Sequence, residues 1–175
     1  YAKTIEEDLS RRDFTVNAVA LRQAQGKPFE LIDPFGGQKD LKAKLIRAVG
    51  EPEARFQEDA LRMMRAARLA TVLNFTIEDK TKKAVQGQAL LLREISQERV
   101  RDEFLKIIMA DHAMKGIELL HELGLLRHIV PELEEGYGVE QNKHHKYTVW
   151  EHNVLSLDYA AKQKWNSSVR IASLL

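Results

Sequence analysis

The chain contains no cysteine, which excludes disulfides, cysteine nucleophiles and thiolate metal sites and is compatible with a cytoplasmic protein. It has no apolar run near the ~20 residues that a membrane-spanning helix needs and no visible signal peptide, so no membrane role is expected. An excess of charge of one sign is also lacking, since 27 Lys and Arg stand against 26 Asp and Glu. Any nucleic acid must therefore be held by a local basic patch and not by a general cationic field. There are no internal repeats or low-complexity tracts, and nothing specifies an oligomeric state. What is present is 175 residues, 44% of them hydrophobic. That is enough for one or two small domains with a proper core, and too apolar for a disordered tail.

The most informative stretch is Gln57-Glu58-Asp59-Ala60-Leu61-Arg62-Met63-Met64-Arg65-Ala66-Ala67-Arg68. If it is helical, Asp59 and Arg62 are neighbours on its surface. A carboxylate only accepts hydrogen bonds and a guanidinium only donates them. Cytosine and adenine each offer an amino donor beside a ring-nitrogen acceptor, so one acceptor plus one donor suits both bases. Guanine and uracil present the reverse order and would leave polar groups unpaired, at about 1–3 kcal/mol per group. Such a pair would choose C and A without a nucleic-acid template. An acid and an arginine at this spacing also make an ordinary solvated ion pair worth under about 1 kcal/mol. At ~100° per residue, Met63, Met64, Ala67 and Ala70 fall on one side, and Glu58, Arg62 and Arg65 on the other, with Arg68 at its margin. Few acids neighbour the three arginines, and an unpaired cationic row suits a triphosphate.

A second constellation is Arg11-Arg12-Asp13-Phe14-Thr15-Val16-Asn17-Ala18-Val19-Ala20. Adjacent arginines offer donors to phosphate, and the acid that follows offers an acceptor to a ribose hydroxyl. The same residues also read as a basic turn before a core element. Alternation in this stretch does not decide strand against helix.

Residues 14–22 and 29–33 are expected as strands around the turn signal Gly26-Lys27-Pro28, and 45–49 is a short apolar stretch. Everything after Glu51 reads as helix. Pro52 suits an early helical position, and 52–73 carries the arginines. Further helices are expected over 78–91, from Ser96 with the stripe Val100, Phe104, Ile107 and Ile108, over 112–123 with Gly124 as its stop, and from about Thr148 to Lys164. Gly136-Tyr137-Gly138 reads as a loop, and Asn166-Ser167-Ser168 caps a last helix.

Four ordered motifs carry a resemblance: Arg11-Arg12-Asp13-Phe14; Asp33-Pro34-Phe35-Gly36-Gly37 with Asp40-Leu41; Glu58-Asp59-Ala60-Leu61-Arg62; and Glu98-Arg99-Val100-Arg101-Asp102-Glu103-Phe104. In order and spacing the chain resembles the bacterial class II tRNA nucleotidyltransferases, which comprise the CCA-adding enzymes and their poly(A) polymerase relatives. The resemblance implies an α+β fold: a partial nucleotidyltransferase head, with the end of a mixed β-sheet, over 1–50; an all-helical neck that reads the base over 51–110; and the start of a helical body over 111–175. It implies nucleotide binding by Arg11, Arg12, Asp13 and Asn17 on the sugar and phosphates. Asp59 and Arg62 would be the amino-acid template for CTP and ATP, and Arg65 and Arg68 would approach the phosphates. Asp33 to Leu41 would be a flexible element between head and neck. Its glycines 36 and 37 agree with that, because glycine tolerates backbone angles that other residues resist. The implied activity is addition of C and/or A to the 3′ end of tRNA, with tRNA, CTP and ATP as partners. Arg99, Arg101, Lys106 and Lys115 are candidates for RNA contact.

Two departures shape the expectation. In the family, a Gly-Ser stretch and two aspartates precede the Arg-Arg-Asp motif and hold magnesium. No such segment precedes the motif here, and the chain starts at Tyr1. Two-metal phosphoryl transfer needs those carboxylates, so no catalytic or metal residue is assigned. The chain as given is expected to be inactive in a magnesium-dependent incorporation assay although its parent is an enzyme. Toward the other end, Lys143 to His152 resembles the entry to an HD-type helical domain without its remaining ligands. One imidazole cannot form a useful metal site, so His152 is assigned an ordinary surface or structural role and His144 and His145 a solvated turn. Two other readings stay open: a poly(A) polymerase of the same family, and a non-catalytic RNA-binding or HD-type phosphohydrolase module.

Overall fold

The computed structural model describes residues 2–23, 28–141 and 146–175. Gly26 and Lys27 of the expected turn, and His144 and His145, lie outside the described residues. The fold is α+β and mostly helical. Its opening elements are α1 (Ile5–Ser10), β1 (Ala20–Arg22), β2 (Glu30–Ile32), α2 (Gly37–Ala43) and β3 (Leu45–Ile46). Then follow α3 (Pro52–Glu58), α4 (Leu61–Leu73), β4 (Thr76–Ile77), α5 (Asp79–Gln88) and α6 (Gln97–Ile108). The chain continues through α7 (Ala113–Glu122), α8 (Pro131–Glu135), α9 (Val149–Lys162) and α10 (Ser167–Leu174).

Among the described residues the strands form two separate pairs. β1 and β2 are antiparallel, with Leu21 opposite Leu31, and β3 runs parallel to β4, with Ile46 opposite Ile77. The strand expected over 14–22 is therefore shorter. Thr15–Asn17 closes a 3-10 turn, with Asn17 N–H donating to Phe14 O and Ala18 N–H to Thr15 O. This turn buries Phe14 and Ala18 instead of continuing the ladder. β4 was not expected within the helical part. Two residues are too few to show alternation, and the carbonyls that accept from Thr76 N–H and Glu78 N–H, Lys44 O and Ile46 O, lie about thirty positions earlier.

The helix expected over 52–73 is broken. α3 starts with Pro52 at its first turn and ends at Glu58, and Asp59 is extended (φ −155°, ψ 103°). Its carboxylate accepts the N–H of Leu61 at 3.1 Å, which satisfies a donor at the start of α4. α4 ends where Asn74 turns left-handed at φ 53°. Its Met63, Met64, Ala66, Ala67 and Ala70 are wholly buried, as the helical period requires. They pack into one apolar core that runs from Phe14 and Ile46 through Phe104, Ile107 and Ile117 to Leu157 and Leu174.

The Asp33 to Leu41 segment is tied down where a flexible element was expected. The Asp33 carboxylate accepts the N–H groups of Gly37 at 2.7 Å and Gln38 at 3.0 Å. Partial burial alone would raise the carboxyl's pKa, but together these bonds hold it below the usual carboxylate range. Gly36 does use the freedom of glycine, at φ 72°. Gly37 instead allows close packing, since a Cβ there would lie 2.2 Å from the Thr15 carbonyl oxygen. Asp40 is buried and accepts from Thr15 Oγ1 at 2.7 Å and Arg47 Nε at 3.0 Å. α2 is thereby fastened to the turn that carries Asn17.

Later elements start and stop on local signals. At α9 a reciprocal capping box joins Thr148 and Glu151. At α10 the Asn166 side chain accepts from Val169 N–H. α7 is followed by Gly124 at φ 70°.

Candidate functional site

The Arg11–Asn17 segment leaves α1 and runs beside Ala48, where Thr15 N–H donates to Arg47 O at 2.9 Å and Val49 N–H to Asp13 O at 3.0 Å. This backbone pairing fixes the direction of the Asp13 side chain, which is buried at 7% exposure. Asp13 Oδ1 accepts from Phe14 N–H at 2.9 Å and Asn17 Nδ2 at 3.1 Å. Asp13 Oδ2 accepts from Arg65 Nε at 2.7 Å and lies 2.6 Å from Arg65 Nη2. Two contacts per oxygen fill the capacity of a carboxylate. Asp13 is thus spent on the protein itself, where an acceptor for a ribose hydroxyl was expected. Its neighbour Asn17 keeps an amide oxygen beside the same space.

Asp59 and Arg62 flank the start of α4. Arg62 Nη1 donates to Glu58 Oε2 at 2.8 Å and to Arg55 O at 3.2 Å, and its Nη2 donates to Arg11 O at 3.4 Å. Asp59 Oδ2 accepts from Arg99 Nη2 at 3.0 Å. The acid and the arginine therefore do not neutralise one another. The arginine row is better paired than expected: Arg62 with Glu58, Arg65 with Asp13, and Arg68 Nε 3.0 Å from Glu103 Oε2. Asp13 and Glu103 lie far from these arginines in sequence, so a reading of local charge misses them. The Arg68 contact balances charge without hydrogen-bond alignment, and both atoms are buried.

A cavity of about 450 Å³ opens between these segments, lined by Arg11, Arg12, Asp13, Asn17, Asp59, Arg62 and Arg65. Of the residues expected to bind nucleotide, only Arg68 lies elsewhere, held against α6. The lining has four arginines and two aspartates. Its volume lies within the range of small-molecule sites. Arg12 pairs with Asp8 through exposed side chains, a weak contact. Among the described residues no acid lies within ion-pair range of Arg11. Chemically the cavity offers guanidinium forks for phosphate oxygens and, at one end, a carboxylate acceptor near a guanidinium donor. Reading the sequence missed Arg55, whose carbonyl accepts from Arg62 and whose side chain pairs with Glu58, and it took Arg99 for an RNA contact and not for a partner of Asp59. Arg55 stands one helical turn before Glu58, a visible spacing, whereas Arg99 gave no local signal.

The candidates for RNA contact are dispersed. Besides the Arg99 contact with Asp59, Arg101 pairs with adjacent Asp102, Lys106 with Glu103, and Lys115 with Asn74 Oδ1. Lys115 borders a cavity of about 460 Å³ with Tyr137 and Trp150, whereas Arg101 borders one of about 590 Å³ with Arg93 and His128. His152 is exposed on α9.

A family model described as the poly A polymerase head domain matches residues 1–47, and one described as a probable RNA and SrmB-binding site of polymerase A matches 74–136. An A-adding tRNA nucleotidyltransferase of Deinococcus radiodurans is 45% identical over 158 residues, 87% of this chain and 35% of that protein. The chain belongs to the class II tRNA nucleotidyltransferase and poly(A) polymerase family. A further member, a CCA-adding enzyme of a Geobacillus species, is 46% identical over 74% of this chain and 31% of its own length. Among solved nucleotidyltransferases, the Bacillus stearothermophilus CCA-adding enzyme in complex with CTP superposes with a TM-score of 0.67 at 44% identity, over 71% of this chain and 31% of that one. A tRNA nucleotidyltransferase complexed with a primer tRNA and an incoming ATP analog gives a TM-score of 0.75 at 29% identity, over 98% of this chain and 49% of that one. The chain thus spans about a third of the length of the curated relatives it matches. No helix among the described residues is long and apolar enough to cross a membrane.

Proposed function

We propose that this chain holds the nucleotide-selecting part of a cytoplasmic enzyme that adds C and/or A to the 3′ end of tRNA from CTP and ATP. The observation that carries the reading is the single cavity in which Arg11, Arg12, Asp13 and Asn17 meet Asp59, Arg62 and Arg65 across more than forty positions of sequence. Asp59 accepts from the amino group of cytosine or adenine, and Arg62 donates to the adjacent ring nitrogen. Arg11, Arg12 and Arg65 hold phosphates, and Asn17 faces the sugar, with Asp13 keeping Arg65 and Asn17 in place. Arg68 acts indirectly, by fastening α4 to α6. In this division residues 1–50 belong to the head, 51–110 to the neck and 111–175 to the body.

Magnesium, when bound, would supply Lewis-acid stabilisation of the transferring phosphoryl group. Among the described residues no group of three or more His, Asp or Glu side chains is placed to hold an ion. The residues named above are assigned to binding and orientation.

The related tRNA nucleotidyltransferases support tRNA as acceptor, and the solved relatives in complex with CTP and with an ATP analog support CTP and ATP. The decisive measurement is incorporation of each nucleotide onto tRNA by the complete protein. CTP or ATP is expected to be used, and GTP and UTP rejected. Asp59→Ala or Arg62→Ala is expected to relax that choice by about tenfold or more, the ratio that ~1.4 kcal/mol of lost discrimination gives. Unchanged choice in both variants removes the template role. A poly(A) polymerase is the second reading, favoured by the description of the matched head domain. It predicts use of ATP without CTP.

A further inference from the structure

A carboxylate that reads a base must present its oxygens in one fixed plane. The Asp59 carboxylate receives one donor on each oxygen: Leu61 N–H at 3.1 Å on Oδ1, and Arg99 Nη2 at 3.0 Å on Oδ2. Each oxygen keeps one acceptor site free. The Leu61 donor belongs to the backbone of α4. The second donor comes from α6, and without it a single hydrogen bond, from Leu61 N–H, is left to restrain the plane of the carboxylate.

Arg99 reaches Asp59 past nearer acids. Asp102, three residues on, pairs with Arg101, and Glu103, four residues on, holds Arg68 and Lys106. The backbone from which Arg99 projects is firm. Val100, Phe104, Ile107 and Ile108 of α6 are buried, and the Arg68–Glu103 contact ties α6 to α4 a second time. The Arg99–Asp59 pair itself is open to solvent, at 52% and 33% side-chain exposure, and exposed pairs of this kind add little to stability. Its worth lies in orientation.

We propose that Arg99 is a positioning residue for base choice: by holding Asp59 Oδ2 it sets the angle at which Asp59 meets the amino group of cytosine or adenine. This assigns Arg99 a role in selecting the nucleotide instead of contacting RNA. The proposal rests on the reading of Asp59 as the base acceptor, and the test separates the two.

The test measures kcat/KM for CTP, ATP, GTP and UTP, together with KM for tRNA, in the complete protein and in its Arg99→Gln, Arg99→Lys and Asp59→Ala variants. Arg99→Gln is expected to lower the preference for the correct over the incorrect nucleotide about tenfold, equivalent to ~1.4 kcal/mol of discrimination. KM for tRNA should stay unchanged. Arg99→Lys keeps a charged donor but loses the planar fork, and should recover part of the preference. Because the pair is exposed, the variants are expected to fold normally, which a thermal melt checks. A preference unchanged in Arg99→Gln overturns the proposal, and a raised KM for tRNA alongside it makes Arg99 an RNA contact. If Asp59→Ala leaves the preference intact as well, the template reading itself has failed. If only Asp59→Ala alters it, the template stands and the role of Arg99 falls.

Discussion

Asp13→Ala is expected to destabilise the chain by about 3 kcal/mol, the lower end of the range for removing one partner of a buried pair. Asp13 is 7% exposed and joins three donors: Phe14 N–H, Asn17 Nδ2 and the Arg65 guanidinium. Alanine leaves all three without their acceptor. The side chain of Arg65 is 40% exposed, so its charge regains water, which keeps the cost from the upper end. Asparagine is no remedy, because its amide has only one acceptor oxygen and would turn an N–H group toward Arg65. The two residues act as a unit, so the losses from Asp13→Ala and Arg65→Ala should not add. A double-mutant cycle is expected to show a coupling of about 1–3 kcal/mol; simple additivity would contradict the tie. In the complete protein, nucleotide use should fall about tenfold or more, since two groups lining the cavity lose their orientation.

The second large effect lies far from the cavity. Arg170 is 2% exposed, and all of its recorded hydrogen bonds go to backbone carbonyls. Its Nε donates to Trp165 O at 2.9 Å, Nη1 to Ile108 O and Ala110 O at 3.0 Å each, and Nη2 to Ala161 O at 3.3 Å. Ile108 ends α6 and Ala161 lies in the last turn of α9. Helix ends carry unpaired carbonyls and a partial negative charge, so a buried cation is stable there without a carboxylate. Arg170→Met keeps much of the volume and removes every donor. Stranded acceptors cost about 1–3 kcal/mol each when buried. A total near 3 kcal/mol is expected after relaxation, lowering the midpoint of thermal unfolding by about 6–12 °C in a chain of this size. Arg170→Lys should recover less than half of this, because an ammonium has no planar fork to span three segments. A Met variant within 1 °C of the parent would show that these carbonyls find water or other donors. Base choice should be untouched, which distinguishes this anchor from Asp13.

The two residues differ in how far the sequence foretold them. Asp13 stands in a motif whose order and spacing were readable, although its partner Arg65 lies 52 positions away. Arg170 gave no signal, because its acceptors are backbone atoms of Ile108, Ala110, Ala161 and Trp165. Carbonyl acceptors carry no side-chain identity that a sequence could display.

Short-range features were legible wherever one physical rule acted alone. The burial of Val100, Phe104, Ile107 and Ile108 followed from helical period. The starts of α9 and α10 followed from capping side chains three residues from the N–H groups they satisfy. The helix expected over 52–73 is wrong at Asp59, where the apolar period favours one continuous helix. The bond from Leu61 N–H to Asp59 Oδ1 breaks it there, together with the hold of Arg99 on the other oxygen.

The sequence by itself therefore determined most of the longer helices after Glu51, which of their faces are apolar, and which donors and acceptors could be offered to a nucleotide. Periodicity, caps and hydrogen-bond polarity reside within a few neighbouring residues. Only the tertiary structure decided that Arg11 to Asn17 and Asp59 to Arg65 share one cavity, that Arg68 turns away to Glu103, and that Asp13 is consumed by Arg65. Each of these depends on an ion pair or packed face between residues tens of positions apart, and the partner of a charge at that range is chosen by how the backbone folds and not by its spacing along the chain.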